Sequence, residues 1–329
     1  MIAARLHGVR DLRVEELPPP EAGPGELLVR VEAAGVCGSD LHVWRTGAFV
    51  TRFPVTPGHE VAGVVVAAGD GAATAPGTRV VMDSKVPCGT CPECRAGHAQ
   101  RCGAIGFLGE VCDGGFAELL TVPEAAVTAV PAGLDPRVAV LAEPAAVAMH
   151  ARRRLERFAP EARRVGVLGG GPIGALCALM LPSTTDVVVA ETDPVRARLL
   201  AAAGLEVTDA LPAGFRADAV FDCAGFAGSV ASAMASCAPG GIVMLVSLHH
   251  GPETLDANAL LAGEHAVAGC HVFEDEMPDT VAALAADPAR FAAVVSREVG
   301  LAELPDAVAE AADGGHRGIK TIVVPEGAA

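Results

Sequence analysis

The chain has 329 residues, 51% hydrophobic and 19% charged. That is enough apolar material for roughly two globular domains, and it excludes a disordered chain. Its 24 basic residues against 40 acidic ones give a formal net charge of −16, which excludes nucleic acid and anionic membrane surfaces as expected partners. The first 17 residues are studded with Arg, Asp and Glu, and the longest uncharged run, residues 165–185, is broken by Gly169-Gly170-Gly171-Pro172 and Pro182. The expectation is a cytoplasmic protein without a secretory signal or membrane helix.

Residues 1–35 alternate in the manner of strands, interrupted at Pro18-Pro19-Pro20 and Gly23-Pro24-Gly25. Residues 26–33 have the mixed period-two character of a half-exposed antiparallel sheet, and residues 61–66 and 78–82 add further short β runs. The N-terminal part therefore reads as all-β and loop-rich, with Gly and Pro as punctuation.

Two clusters with metal chemistry lie in this part. The first is Cys37-Gly38-Ser39-Asp40-Leu41-His42, followed by Gly58-His59-Glu60. Zinc takes thiolate, imidazole and carboxylate ligands, and a catalytic site uses three of them and leaves one position open. Cys37, His59 and an acid supply such a set if the fold brings them together; a buried cysteine and a turn histidine are the plainer reading. The second cluster is Cys88, Cys91 and Cys94 in CxxC steps, with Cys102 after them. Such steps let sulfurs converge on one tetrahedral ion, and four sulfurs close it, so residues 86–103 read as a structural zinc lobe. No βαβ pattern follows Cys91, which disfavours a thioredoxin-like redox pair, and the acidic balance disfavours a nucleic-acid zinc ribbon. Of the ten cysteines, Cys177, Cys223, Cys237 and Cys270 sit among apolar or small residues and read as buried hydrophobes; Cys112 has no assigned role.

A shift from all-β to alternating β and α places a domain boundary near residues 143–150. The strand-like run 165–168, the turn Gly169-Gly170-Gly171-Pro172-Ile173-Gly174 and the strand-like run 187–190 ending on Glu191 read as a dinucleotide-binding βαβ unit. Gly169 makes the tight turn, Gly171 lets the backbone approach a pyrophosphate, and Gly174 lets helix pack on strand. The pyrophosphate sits at the helix start formed by Pro172 and Ile173. Glu191 falls where a carboxylate holds the adenosine ribose hydroxyls, roughly 20 residues on, and repels a 2′-phosphate, so NAD is expected over NADP. Residues 220–225 and 241–247 are the next strands, with Val246 ending beside the cofactor. Between Gly204 and Ala217 the chain is too short for a full crossover helix, which is expected to open one edge of the sheet. Residues 267–273 form the last strand of this sheet. His249, His250, His265, His271 and His316 lie outside any metal spacing and read as solvated or structural.

These clusters, the glycine-rich unit and the segment Leu141-Ala142-Glu143-Pro144-Ala145-Ala146-Val147-Ala148-Met149-His150-Ala151 together resemble the zinc-dependent medium-chain dehydrogenases. The resemblance is closest to their polyol branch of sorbitol, 2,3-butanediol and threonine dehydrogenases. The motifs at 35–42, 58–60, 88–102, 114–118 and 169–174 occur in that family's order and cover nearly the whole chain. The resemblance implies an α/β protein, with a Rossmann doubly wound parallel sheet inserted in a GroES-like β-rich catalytic domain. Its parts would be a catalytic domain at 1–148, an NAD-binding domain at 149–271 and a return to the catalytic domain at 272–329.

It further implies that Cys37 and His59 bind a catalytic zinc with Glu60 or Glu143 as third ligand, and that Asp40 orients His59. Ser39 would take the alcohol proton and His42 would pass it toward solvent, while Arg196 would reach the ribose and Lys320 the pyrophosphate. On the residues alone, Glu143 is equally an acid at a helix start beside Pro144. Arg196 is equally an exposed helix arginine and Lys320 by itself reads as a surface lysine; a turn serine and a surface histidine are the blander alternatives for Ser39 and His42. Trp44 and Phe49 are candidates for a substrate pocket or for core packing. The implied cofactors are two zinc ions per chain and NAD. The implied reaction is oxidation of a secondary alcohol (a polyol, vicinal diol or cyclitol) to a ketone by hydride transfer. Alternatives are a biosynthetic dehydrogenase of an aminocyclitol or nucleoside-like alcohol, and a non-catalytic zinc-stabilised NAD(H)-binding protein. A homodimer or homotetramer is expected, with the four-cysteine lobe near a subunit contact.

Overall fold

A computed structural model describes residues 1–249, 251–315 and 317–326, so His250 and His316 lie outside the described residues. The N-terminal part runs β1 (Ile2–Gly8), β2 (Asp11–Glu16), β3 (Glu26–Val36), α1 (Gly38–Thr46), β4 (Glu60–Ala68), β5 (Arg79–Met82), β6 (Lys85–Val86), α2 (Pro92–Arg95), β7 (Gly106–Phe107), β8 (Leu119–Pro123), β9 (Val127–Ala129), α3 (Pro136–Ala139) and α4 (Ala142–Phe158). The middle alternates β10 (Arg164–Leu168), α5 (Pro172–Met180), β11 (Asp186–Ala190), α6 (Pro194–Ala202), β12 (Glu206–Thr208), β13 (Ala217–Asp222), α7 (Ser229–Ser236), β14 (Cys237–Leu245), α8 (Ala257–Ala262) and β15 (Ala266–Gly269). The C-terminal part is α9 (Met277–Ala286), α10 (Pro288–Ala292), β16 (Val295–Val299), α11 (Leu304–Ala312) and β17 (Lys320–Val323).

The middle segment builds a six-stranded sheet in the order β12-β11-β10-β13-β14-β15, parallel throughout. This is the doubly wound order, which reverses direction between β10 and β13 and opens a crevice at the carboxyl ends of those strands. Both faces are covered, so the strands are continuous apolar runs: Val165, Val167 and Phe221 join the core under α4 and α5, while Val220 and Val243 join the core under α7.

No helix lies between β12 and β13, as the short connection predicts. The sheet is nonetheless not left bare there. Leu211 and Phe215 of the connecting loop lie on the face of β10, so close that a Cβ at Gly166 would sit 2.8 Å from Leu211 and 3.3 Å from Phe215. Two apolar side chains do the covering that a helix does in a longer crossover, and the outermost strand β12 is only three residues long.

The other large sheet has the order β16-β17-β3-β4-β5-β9, with β8 also paired to β3. Its central strand β3 alternates inward and outward along the first half, in line with its period-two sequence. The C-terminal strand β17 pairs antiparallel with β3, so a sheet begun by the N-terminal third is completed by the last residues described. α4 runs unbroken across the compositional boundary; Ala145, Ala146, Ala148 and Ala151 on it are buried, and their small side chains let it pack closely between the two sheets. Cys177 and Cys237 are buried as expected, whereas Cys223 and Cys270 are only half-buried; Cys223 lies 3.9 Å from Cys177, sulfur to sulfur. His271 bonds the Gln100 carbonyl at 2.8 Å and is structural. No helix among the described residues is long and apolar enough to cross a membrane.

Candidate active site

The first metal-ligand group is assembled where β3 hands over to α1. Cys37 is the N-cap of that helix, and its N–H donates to the Asp40 carboxylate at 2.8 Å, which fixes the first turn. The helix ends on Gly47, whose φ of 71° closes it in the left-handed conformation. The β3–β4 ladder sets Glu60 opposite Gly35. A Cβ at Gly35 would lie 1.8 Å from the Glu60 carboxylate, so only glycine leaves room for that acid. The preceding turn needs a second glycine: Gly58 has φ of 96° and lies against the Phe116 ring.

Donor atoms of Cys37, His59 and Glu60 thus come within 4.8 Å of one another, with His59 and Glu60 buried. The His59 Nδ1 is 3.6 Å from Asp40. Burial opposes a charge on this imidazole, but Asp40 and then Cys37 outweigh it and hold its pKa well above the ordinary value. A thiolate, an imidazole and a carboxylate in one buried group are the donor set of an open zinc site, and the residues fit that ion.

Two further side chains close the back of the group. Glu143, on the first turn of α4, is buried and accepts from the Ser84 hydroxyl at 2.5 Å. Burial pushes its carboxyl up, against the pull of His59. Glu143 is not one of the three residues whose donor atoms converge; Glu60 is. Lys320, at the start of β17, sends its ammonium to the Glu60 carboxylate at 2.5 Å and to the Val36 carbonyl at 3.0 Å. The β17–β3 register, with Thr321 opposite Val36, carries it there.

The second group is Cys88, Cys91, Cys94 and Cys102, again with sulfurs within 4.8 Å. Cys91 caps α2, its sulfur accepting from the Cys94 N–H at 3.4 Å, so the CxxC step doubles as a helix start. Backbone N–H groups of Thr90 and Cys91 lower the Cys88 thiol to about 6, toward the thiolate that a metal takes. Four converging sulfurs leave no open position, which fits a structural ion.

At the crevice of the parallel sheet, Gly169 has φ of 90°, and a Cβ at Gly174 would lie 1.9 Å from the Gly169 carbonyl. Gly171 caps α5 and Pro172 occupies its first turn, with Ile173 half-buried against the core. Glu191 is buried, and its carboxylate accepts from Gly170 N–H at 2.9 Å and Asp193 N–H at 2.7 Å. Val246 follows β14 directly. The Asp222 carbonyl accepts from Val246 N–H at 3.0 Å and from Ser247 N–H at 3.1 Å, which pins the end of β14 beside the crevice.

Residues 23–132 match the family profile described as alcohol dehydrogenase GroES-like domain, and residues 184–287 match zinc-binding dehydrogenase. D-altritol 5-dehydrogenase of Agrobacterium fabrum is 33% identical over 308 residues, which is 88% of this chain and 89% of that protein. The chain belongs to the zinc-binding alcohol dehydrogenase family. L-galactonate-5-dehydrogenase of Escherichia coli is 39% identical over 184 residues, 55% of this chain and 52% of that protein, so this match spans about half of the relative. A zinc-binding dehydrogenase from Sinorhizobium meliloti, solved bound to NADP, superimposes with a TM-score of 0.88 at 30% identity, covering 98% of this chain and 99% of that one. The protein is thus a zinc-containing dehydrogenase with a GroES-like part and a Rossmann part.

Within this dehydrogenase, one residue stands elsewhere than its motif suggests. Lys320, expected at the pyrophosphate, is instead buried on Glu60, because its strand belongs to the β3 sheet and an unpaired buried carboxylate would otherwise remain. Arg196 follows the Asp193 cap of α6, and its Nε donates to the Gly318 carbonyl at 3.1 Å. Trp44 is core, with the Arg10 guanidinium over its ring, whereas Phe49 is exposed and its ring lies 5.7 Å from that of His42. Ser39 and His42 are both half-buried on α1. Ser84 and Glu110 carry no signal in the sequence: a lone serine and a loop acid have no spacing pattern, and only burial marks them.

Proposed function

We propose that this dehydrogenase oxidises a secondary alcohol of a polyol, vicinal diol or cyclitol to the ketone, with NAD as acceptor and two zinc ions per chain. The observation that carries the reading is the convergence of Cys37, His59 and Glu60 within 4.8 Å in a buried group. The relatives' names, an altritol 5-dehydrogenase and a galactonate 5-dehydrogenase, support a polyhydroxylated substrate.

In this reading Cys37, His59 and Glu60 hold the catalytic zinc, and Cys88, Cys91, Cys94 and Cys102 hold a structural one. When bound, zinc supplies Lewis acidity that lowers the pKa of an alcohol oxygen, and the nicotinamide supplies the hydride acceptor. Asp40 keeps the His59 ring oriented, the part a carboxylate plays behind a ligating imidazole. Ser39 and His42 are three residues apart on α1 and so share a helix face, which suits a relay from the substrate hydroxyl through Ser39 and His42 to solvent. The turn at Gly169, Gly171, Pro172, Ile173 and Gly174 receives the pyrophosphate at the start of α5, with Val246 flanking the cofactor. Glu191 receives the ribose hydroxyls and turns away a 2′-phosphate, and Arg196 lies on the adenosine side.

The same reading divides the chain at 148/149 and 271/272. It has the enzyme working in the cytoplasm as a homodimer or homotetramer on small-molecule alcohols and ketones. The test is NADH formation, followed by its ultraviolet absorbance, across diols, sugar alcohols, cyclitols and aminocyclitols. Turnover of at least one class is expected, and none from metal-replete protein would end the reading.

A further inference from the structure

Four acidic side chains lie around His59, and three are engaged. Asp40 is held by the Cys37 N–H at 2.8 Å, Glu60 by Lys320 at 2.5 Å and Glu143 by the Ser84 hydroxyl at 2.5 Å. The fourth is Glu110, which is only 9% exposed. Among the described residues its carboxylate has no hydrogen bond or ion pair, and its oxygens are not among the sealed buried atoms, so they face open space.

The backbone shows why Glu110 is beside the site. Gly109, with φ of 81°, lies on the turn that carries His59: a Cβ there would be 2.7 Å from the Gly58 nitrogen. Gly114 presses on the same turn, its Cβ position 2.2 Å from the Gly58 carbonyl. The Glu110 carbonyl accepts from Thr51 N–H at 3.3 Å, which ties its loop to the segment bearing exposed Phe49. Burial pushes the Glu110 carboxyl up to about 7, His59 pulls it down and Asp40 pushes it up again. A nearly buried carboxylate that lacks a donor is costly to keep, and a donor brought by a ligand removes that cost.

We propose that Glu110 reads the substrate, its carboxylate accepting a hydrogen bond from a donor, hydroxyl or ammonium, on a carbon next to the reacting carbinol. The proposal rests on the alcohol-oxidation reading and adds the residue that selects among alcohols. An alcohol without such a donor leaves the carboxylate unpaired, so discrimination of at least about tenfold is expected.

The experiment measures kcat/KM of the full-length, zinc-loaded enzyme with NAD for 2,3-butanediol, 3-amino-2-butanol and 2-butanol. The wild type should favour at least one donor-bearing alcohol over 2-butanol by that factor, and which of the two leads distinguishes hydroxyl from ammonium. Glu110→Ala should shrink the leading ratio at least about fivefold. Glu110→Gln keeps an acceptor of the same shape without the charge, so it should lower the amine-to-diol ratio. Zinc content and melting temperature, measured alongside, report folding; if the alanine variant does not fold, the glutamine variant decides. Ratios within about twofold of wild type, or all three rates falling together, overturn the role of Glu110. No NADH from the wild type with these three or with any alcohol of the wider panel removes the alcohol-oxidation reading and this proposal with it, whereas turnover with unaltered ratios removes the proposal alone.

Discussion

The two ligand clusters of this protein are built in opposite ways. The four-cysteine lobe draws every donor from residues 88–102, and one of its sulfurs caps the short helix that presents the next. The Cys37 group draws one donor from a helix cap after β3, one from a glycine turn and one from β4, and it is backed by a lysine from the far end of the chain. The first is a local device that any surface can carry. The second exists only when the β3 sheet is complete, because β17 brings Lys320 and the β3–β4 register brings Glu60. A site that must stay open toward a reactant is thus set in the most interdependent part of the fold, while a closed one stands apart.

The largest expected break in this contrast is Cys37→Ser. It should lower NADH formation by about three orders of magnitude, since Lewis acidity is worth several kcal/mol. Elemental analysis should show zinc falling from two ions per chain to one; full activity with one zinc would refute the assignment. Cys94→Ser should remove the other ion instead, and with it the folding energy that a structural zinc supplies. Proteolysis confined to residues near 88–102, with catalysis surviving in the intact fraction, is the expected signature. Loss of both ions together would show that the two clusters are not independent.

Lys320→Met leaves the Glu60 carboxylate buried without its partner and should cost about 3–5 kcal/mol in denaturant unfolding of metal-free protein. Adding Glu60→Gln should recover part of that loss, which a remote effect of the methionine would not allow. The smallest effect is expected at the dinucleotide turn, an intermediate case in which local glycines meet one tertiary partner. Glu191→Ser removes the carboxylate that holds Gly170 and that, in the proposed reading, repels a 2′-phosphate. The NAD-to-NADP preference in kcat/KM should fall by roughly tenfold, on the scale of one charge-assisted hydrogen bond. An unaltered preference would place cofactor choice elsewhere.

Much of this was legible in the residues because it is local. The CxxC steps, the glycines at 169, 171 and 174, and the apolar runs of the parallel strands each carry their physical reason within a few positions. The short connection before β13 was legible as lacking a helix, but Leu211 and Phe215 were not legible as the cover that replaces it. Two apolar residues in a loop have no periodicity. Trp44 could be read as pocket or core, and only packing decides between them.

By itself, then, the order of residues determined a closed sulfur site, a dinucleotide turn and the alternation of strand and helix, since bond geometry and 3.6- or two-residue periods act over short range. Tertiary structure alone decided that Glu60 rather than Glu143 joins Cys37 and His59, that Lys320 serves that acid rather than a phosphate, and that Glu110 is nearly buried without a partner among the described residues. Those outcomes depend on strand register and on the desolvation of charges, and both come into being only when distant segments close on one another.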